Sequence, residues 1–368
     1  MDYSEPFGVE SIHLDSFRNF QSLSLTLGKG FNVLEGPNGN GKTNLLEAIY
    51  WVATTQLLRG IRDHEAIREG SERTEVRIEL RGSGTVLSMN IERGARKRAA
   101  LNGLNLPRAA DLLGRLPCVC ITAGDMEIVR GEPSERRMFL DMELSSRSPS
   151  YLRHLTIYKR ALDQRNAIIK AARESHQPVE LWETWEDQLA EHGDAIRSIR
   201  EGYVSSIEEG LAEFHRRMGG GEGVDIRYAP KDGNNTPELL RSAYSATRGG
   251  DVQRGATTIG PHRDDLVFEI VGRDARLFAS QGQQRTCVIA LKLATLRLSA
   301  EGGSGPPLLL LDDIFSDLDE ARRSQLVEIV LDVAGQTILT CTEVSSAGPA
   351  ILQKAEIYAV REGTISRN

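Results

Sequence analysis

Cysteine is scarce in this chain, with Cys118, Cys120, Cys287 and Cys341 the only four among 368 residues. None forms a C-x-x-C pair and all lie in apolar surroundings, so reduced, buried thiols in a cytoplasmic protein are expected. Metal binding through Cys118 and Cys120 is the weaker alternative, because no nearby Cys or His pair completes a tetrahedral site. No run approaches the roughly eighteen apolar residues that span a bilayer, so no membrane partner is expected. The opening stretch MDYSEPFGVE lacks a basic region followed by an apolar one, which argues against a secretory signal. An excess of positive charge is missing too. The net charge of −7 does not announce a nucleic-acid binder, although a local basic patch rather than the total decides that question. The densest such cluster is Arg93, Arg96, Lys97 and Arg98 in ERGARKRA, which reads either as a solvated hairpin tip or as a contact patch.

What is present is ordinary for a globular protein: 40% hydrophobic and 26% charged residues, in a chain long enough for two cored domains. Alternating strands are expected at Ser11–Phe17 and Leu23–Leu27. A buried strand follows at Phe31–Glu35, then a helix from Thr43 to about Thr54 that turns Leu45, Leu46, Ile49 and Tyr50 to a core. Thr74–Leu80 and Val86–Glu92 form a hairpin signature, and Leu116–Thr122 a short buried strand. Helical pattern begins at Pro133-Ser134 and dominates to about Met218, where Gly219-Gly220-Gly221 ends it. Trp182, Trp185, Leu189, Ile196 and Ile199 make a seam that a partner helix bearing Leu155, Tyr158, Leu162 and Ile169 would cover. The tryptophans read as core rather than as a base-stacking platform. From about Ala256 an α/β pattern resumes. A hairpin of Leu266–Val271 with Arg276–Phe278 precedes a helix from Gln281 to Ser299, then the series Leu308–Leu311, Glu320–Val333 and Thr337–Cys341, a parallel βαβ crossover. The expected fold is therefore α/β. A P-loop head with a mixed sheet and flanking helices occupies residues 1–130 and 250–368, and a mostly helical second lobe is inserted over 131–249.

Two segments far apart in the chain carry one chemistry. Gly36, Pro37, Asn38, Gly39, Asn40, Gly41, Lys42 and Thr43 spell GPNGNGKT, a P-loop. Its glycines let backbone N–H groups turn inward around phosphate oxygens, where side chains would block the approach. Lys42 is placed to reach the β- and γ-phosphates and Thr43 to bind Mg²⁺ through its hydroxyl, so ATP and Mg²⁺ are the expected ligands. The second segment, LLLLDD, is apolar on successive residues, as a parallel strand buried on both faces should be. At its end Asp312 would hold Mg²⁺, and Asp313 would face the γ-phosphate and take the proton of an attacking water. By itself this is a core strand; beside a P-loop it is the other half of a nucleotide site. A third segment, SQGQQRT from Ser280 to Thr286, opens a helix whose positive dipole end suits an anion, though alone it reads as an ordinary capped helix.

These motifs, with Ser316-Asp317-Leu318-Asp319, resemble the ATP-binding cassette heads, in which the signature of a second head caps the γ-phosphate. The helical insertion points to the SMC-like branch of DNA-repair ATPases. Within that branch, DSFRNF (15–20), GPNGNGKTNLLEAIYW (36–51), GEPSERRMFLD (131–141), GPHRDDL (260–266), SQGQQRT (280–286) and LLLLDDIFSDLD (308–319) resemble the signatures of the RecF family. The resemblance implies a weak, DNA-stimulated ATPase of recombinational repair and replication. Its ATP-induced homodimer would bind single-stranded, gapped or junction DNA, help RecO and RecR to load RecA, and support SOS induction. It also implies that Ser280 contacts the γ-phosphate bound by the opposite subunit, with Gly282 against it and Asp319 at the dimer seam. Arg18 is expected near the nucleotide or the loop of Asn38. His262 is open between a catalytic base and a structural histidine, the latter favoured. Two departures from the wider cassette pattern, Asp313 in place of a general-base glutamate and no histidine after Thr337–Cys341, both suit slow hydrolysis. The longest helix, Leu181 to Met218, spans only roughly 55 Å at the usual rise, too short for an SMC-type coiled coil. A transporter ATPase subunit and a non-hydrolysing scaffold are the rival readings.

Overall fold

Alternation builds the first sheet. Arg73–Leu80 (RTEVRIEL) buries every second side chain and Phe20–Thr26 (FQSLSLT) does so from Leu23 on, as an antiparallel sheet covered on one face requires. They join Val9–Phe17, Val86–Glu92, Arg98–Leu101 and Leu104–Asn105 in a six-stranded sheet whose paired strands are all antiparallel. Continuous apolar runs build the second sheet. Phe31–Glu35, Cys118–Thr122, Leu308–Asp312 and Thr337–Cys341 are buried along most or all of their length. The computed structural model, which describes residues 8–58, 62–175, 178–219, 221–233, 235–301 and 306–367, sets them in parallel. From one edge the order is Thr364–Arg367, Ala355–Arg361, Phe31–Glu35, Thr337–Cys341, Leu308–Asp312, Cys118–Thr122, with only the first pair antiparallel. The strand carrying Asp312 is thus one strand removed from the strand that feeds the P-loop.

Both sheets belong to a first compact unit, formed by the described parts of Met1–Asp125, Glu213–Gly221 and Thr286–Asn368. The helix Lys42–Thr54 packs against strands of both sheets. Every residue from Leu45 to Ala53 is consequently buried, where the sequence pattern predicted a single core-facing stripe. Trp51 is fully buried with its ring 5.9 Å from that of Phe17. Residues 213–221 are held in this unit by ion pairs from Glu213 to Arg297 and from Arg217 to Asp332. Cys120, Cys287 and Cys341 are buried and Cys118 partly so; burial raises the thiol pKa of Cys287 to about 12 and of Cys341 to about 11. Such thiols are poor metal ligands.

The second unit, Met126–Ala212 with Glu222–Arg285, combines helices and a small sheet. Pro133–Arg147 and Pro149–Ala171 lead to the long helix Val179–Arg217. His154 meets His192 at 3.0 Å, and Arg165 meets Glu186 at 3.1 Å, so the latter two helices run antiparallel. Trp182 is buried with Ile168 and Ile169, and the guanidinium of Arg165 lies 5.5 Å from its ring, which is core packing. Three findings differ from the sequence reading. This unit runs on to Arg285, so residues 250–285, expected in the head, lie here, because Asp265–Ile270 pairs with Val224–Ala229 rather than with a head strand. Arg276–Phe278 is not a strand, since Asp274 accepts from the Arg276 N–H at 2.8 Å and starts the short helix Ala275–Phe278. Pro237–Arg254 is a helix the sequence pattern did not predict, capped by Thr236 and closed by Gly255 in the left-handed region. Of the Gly219-Gly220-Gly221 stop, Gly220 lies outside the described residues, and Gly219 has φ 82°.

Candidate nucleotide-binding site

The P-loop leaves the buried strand Phe31–Glu35 and enters the helix Lys42–Thr54 through Gly41, whose φ is 107° and which offers no side-chain cap. Any Cβ at Gly41 would lie 2.5 Å from Asn19 Nδ2, so both the backbone angle and the space demand glycine. A Cβ at Gly36 would collide with the Val360 carbonyl oxygen. Helix N-terminal N–H groups with no side-chain cap, approached through Gly39 and Gly41, which carry no side chain, form a cradle for an anion. Lys42 is folded back over this cradle. Its Nζ donates to the carbonyl oxygens of Gly36 at 2.5 Å and Pro37 at 3.0 Å, and to Asn38 Oδ1 at 3.4 Å. Burial lowers its pKa, opposed by Asp313, Cys341 and Asp312. An ammonium held by three neutral acceptors gains on exchanging them for phosphate oxygens.

The second half of the site arrives on the strand Leu308–Asp312. Thr43 Oγ1 donates to Asp312 Oδ1 at 2.8 Å, across 269 residues of sequence. The same Oδ1 accepts from Thr340 Oγ1 at 2.9 Å, and the Asp313 N–H donates to that hydroxyl at 2.9 Å. Asp313 has φ 52°, a left-handed backbone uncommon outside glycine. Asn38, Lys42, Thr43, Asp312, Asp313 and Thr340 line one cavity of about 180 Å³, suited to phosphate groups. The donors here are all oxygen, one carboxylate beside one hydroxyl. That fits Mg²⁺, which takes few protein ligands and leaves its other positions to water and phosphate. A wider cleft of about 860 Å³, lined by Arg18, Asn19, Glu65, Ile67 and Arg68, shares Asn44 with this cavity.

Arg18 lines the wider cleft. It makes a two-pronged ion pair with the fully buried Glu47, at 2.7 and 3.0 Å, and so holds the P-loop helix. Its neighbour Asn19, which the sequence reading passed over, braces the loop: Nδ2 donates to the Asn40 carbonyl at 3.1 Å and Oδ1 accepts from Asn44 at 2.8 Å. DSFRNF was the signal for it. Ser280, in the second unit, caps its helix reciprocally with Gln283, the Ser280 N–H donating at 2.7 Å and Ser280 Oγ accepting at 3.2 Å. Gly282 lies half-buried in the first turn of that helix. Asp319 caps the helix Glu320–Val333. His262 is structural: Nδ1 lies 2.6 Å from Tyr158 Oη and Nε2 3.1 Å from the Thr257 carbonyl, and burial lowers its pKa to about 4. The rest of GPHRDDL is structural as well. Asp264 accepts a two-pronged pair from Arg197, and Arg136 clasps Asp265. In the basic turn, Lys97 bonds Asp63 at 2.9 Å and the Thr55 carbonyl at 2.6 Å, so it ties the turn to the end of the P-loop helix and the segment after it.

The RecF/RecN/SMC N-terminal domain family matches residues 8–365. The DNA replication and repair protein RecF of Symbiobacterium thermophilum is 38% identical over 375 residues, covering 97% of this chain and 97% of that protein. RecF of Lachnoclostridium phytofermentans is 34% identical over 362 residues, covering 98% and 99%. The chain belongs to the RecF family. A solved structure of the RecF recombination mediator with ATP is 28% identical and superposes with a TM-score of 0.91 over 100% of both chains. The Smc head domain of Pyrococcus furiosus, at 17% identity and a TM-score of 0.57 over 98% of this chain and 96% of its own, shares the fold alone. The first unit of this RecF-family chain is thus an α/β ATPase head of the ABC type.

Proposed function

We propose that this chain is an ATP-hydrolysing, DNA-binding protein of recombinational repair and replication. Its ATP-bound form is a homodimer on single-stranded, gapped or junction DNA, and slow hydrolysis releases it. The observation that carries the reading is the 2.8 Å bond from Thr43 to Asp312, which closes two distant motifs into one site. Lys42 leaves its loop carbonyls for phosphate oxygens, while the backbone N–H groups of Gly39 to Thr43 surround them. Thr43 and Asp312 hold Mg²⁺, which supplies charge neutralisation at the phosphates when bound. Asp313 accepts the proton of the attacking water, and its short side chain keeps turnover well below typical rates of about 10 per second. The wider cleft beside Asn44 takes the nucleoside. Ser280 and Gly282 serve the site of a second copy, with Asp319 at the seam between copies.

Family membership supports RecO and RecR as partners, RecA loading and SOS induction as the outcome, and the cytoplasm as the setting; among the described residues no helix is long and apolar enough to cross a membrane. Sedimentation with and without ATP tests the clamp. Wild type should dimerise with ATP and DNA, Ser280→Arg should stay monomeric, and Asp313→Asn should accumulate as DNA-bound dimers. A wild type that remains monomeric with ATP and DNA overturns the reading. An Asp313→Asn protein indistinguishable from wild type favours a scaffold that never uses hydrolysis.

A further inference from the structure

We propose that Thr340 is a positioning residue that sets both carboxylates of the ATP site, an inference that rests on the roles given above to Asp312 and Asp313. One hydroxyl makes two bonds of opposite sense: it donates to Asp312 Oδ1 and accepts from the Asp313 N–H, each at 2.9 Å. A hydroxyl carries a single proton, so these two bonds together fix its rotation. Its β-branched carbon holds the side-chain torsion as well.

The placement follows from sheet order. Thr340 stands opposite Asp312 in the parallel register, on the strand between the P-loop strand and the Asp312 strand. The ladder between Leu308–Asp312 and Thr337–Cys341 ends at that pair, and the Thr340 side chain takes over the next N–H, that of Asp313. That N–H belongs to the residue with φ 52°, so the bond helps hold the turn that directs Asp313 to the cavity. Asp312 Oδ1 is shared between Thr43 and Thr340. When Thr43 turns to a cation, Thr340 is the partner that keeps the carboxylate oriented. Thr340 is 1% exposed yet lines the cavity. The buried Thr295, by contrast, donates to the Leu291 carbonyl of its own helix at 3.0 Å. Thr340 bonds instead to the two residues of the proposed chemistry.

The test uses the full chain with Thr340→Val, which keeps the shape without the hydroxyl, and Thr340→Ser, which keeps the hydroxyl. Binding of a non-hydrolysable ATP analogue is measured across a Mg²⁺ titration, alongside kcat and KM for ATP. Thr340→Val should lower kcat about tenfold and raise the Mg²⁺ needed for half-maximal analogue binding several-fold, the scale expected for losing a bond to a charged group. Its analogue affinity without Mg²⁺ should match wild type, because the P-loop is untouched. Thr340→Ser should retain the wild-type Mg²⁺ dependence. Thr340→Val behaving as wild type while Asp312→Asn is impaired overturns the role of Thr340 and leaves the site standing. A Ser variant as impaired as Val, or folded normally yet defective without Mg²⁺, overturns it as well. An Asp312→Asn protein with unaltered Mg²⁺ dependence overturns the reading of the site itself, and the inference with it.

Discussion

Asn19 fills the space that Gly41 leaves open and ties the P-loop at two points, the Asn40 carbonyl and the Asn44 amide. Both bonds are solvent-exposed, so Asn19→Ala should weaken ATP binding only about fivefold, roughly one hydrogen bond's net worth. Steady-state kinetics should show this in KM, with kcat nearly unchanged; a kcat loss at constant KM would place Asn19 in the chemistry instead. His262 gives a pH signature. Burial keeps it neutral in the folded chain down to about pH 4, whereas the unfolded chain takes a proton near the ordinary histidine value of about 6.5. Protons therefore favour unfolding in that window. The stability contribution is whole above about 6.5 and is lost as pH falls to about 4, roughly 3 kcal/mol in all. Denaturant melts of His262→Gln should show a flatter acid limb than wild type between those values; parallel limbs would contradict the assignment. Lys42, Thr43 and Asp312 were legible in sequence because their spacing carries the chemistry. Asn19 and Thr340 were not, because one acts through a turn folded against the loop and the other through the order of strands in a sheet.

The second unit carries a network of buried ion pairs. Asp264 is fully buried and accepts from Arg197, from Tyr228 Oη at 2.6 Å and from the Lys231 N–H at 3.1 Å. Burial alone would lower the pKa of Arg197, but its bonds to Asp232 and Asp264 raise it. Asp264→Ala leaves a buried guanidinium short of a partner and should cost about 3–5 kcal/mol. Arg322→Ala, at the exposed pair with Asp319, should cost under about 1 kcal/mol. Urea unfolding of both variants checks the contrast, and comparable losses would show the network to be incidental. At this scale the sequence read well wherever one periodicity dominated, as in Thr337–Cys341 or Glu320–Val333. It read poorly where few residues are buried. Pro237–Arg254 buries only Leu240, Tyr244 and Asp251, too few for an apolar stripe, although its Thr-Pro start was a helix signal. In GPHRDDL the structural reading of His262 was favoured and holds, but the partners Arg136, Arg197 and Tyr158 are distant in sequence and could not be named.

The whole molecule carries a net charge of −7, so any DNA contact must come from local basic surface against an unfavourable overall field. Affinity for DNA should accordingly fall steeply with salt, tracked as the slope of log affinity against log salt concentration. A flat response would argue against phosphate contacts as the main source of binding. The order of strands in the central sheet also bears on how the chain is made. Phe31–Glu35 pairs with Thr337–Cys341 on one side and Ala355–Arg361 on the other. On the ribosome, at about 5–20 residues per second, roughly 300 residues and some 15–60 s separate this strand from the first of those neighbours. Throughout that interval a nascent segment made almost wholly of core positions has no lateral partner, which makes it a natural client for a holding chaperone. A message broken before the codon for Thr337 can encode an intact GPNGNGKT and still yield no nucleotide pocket.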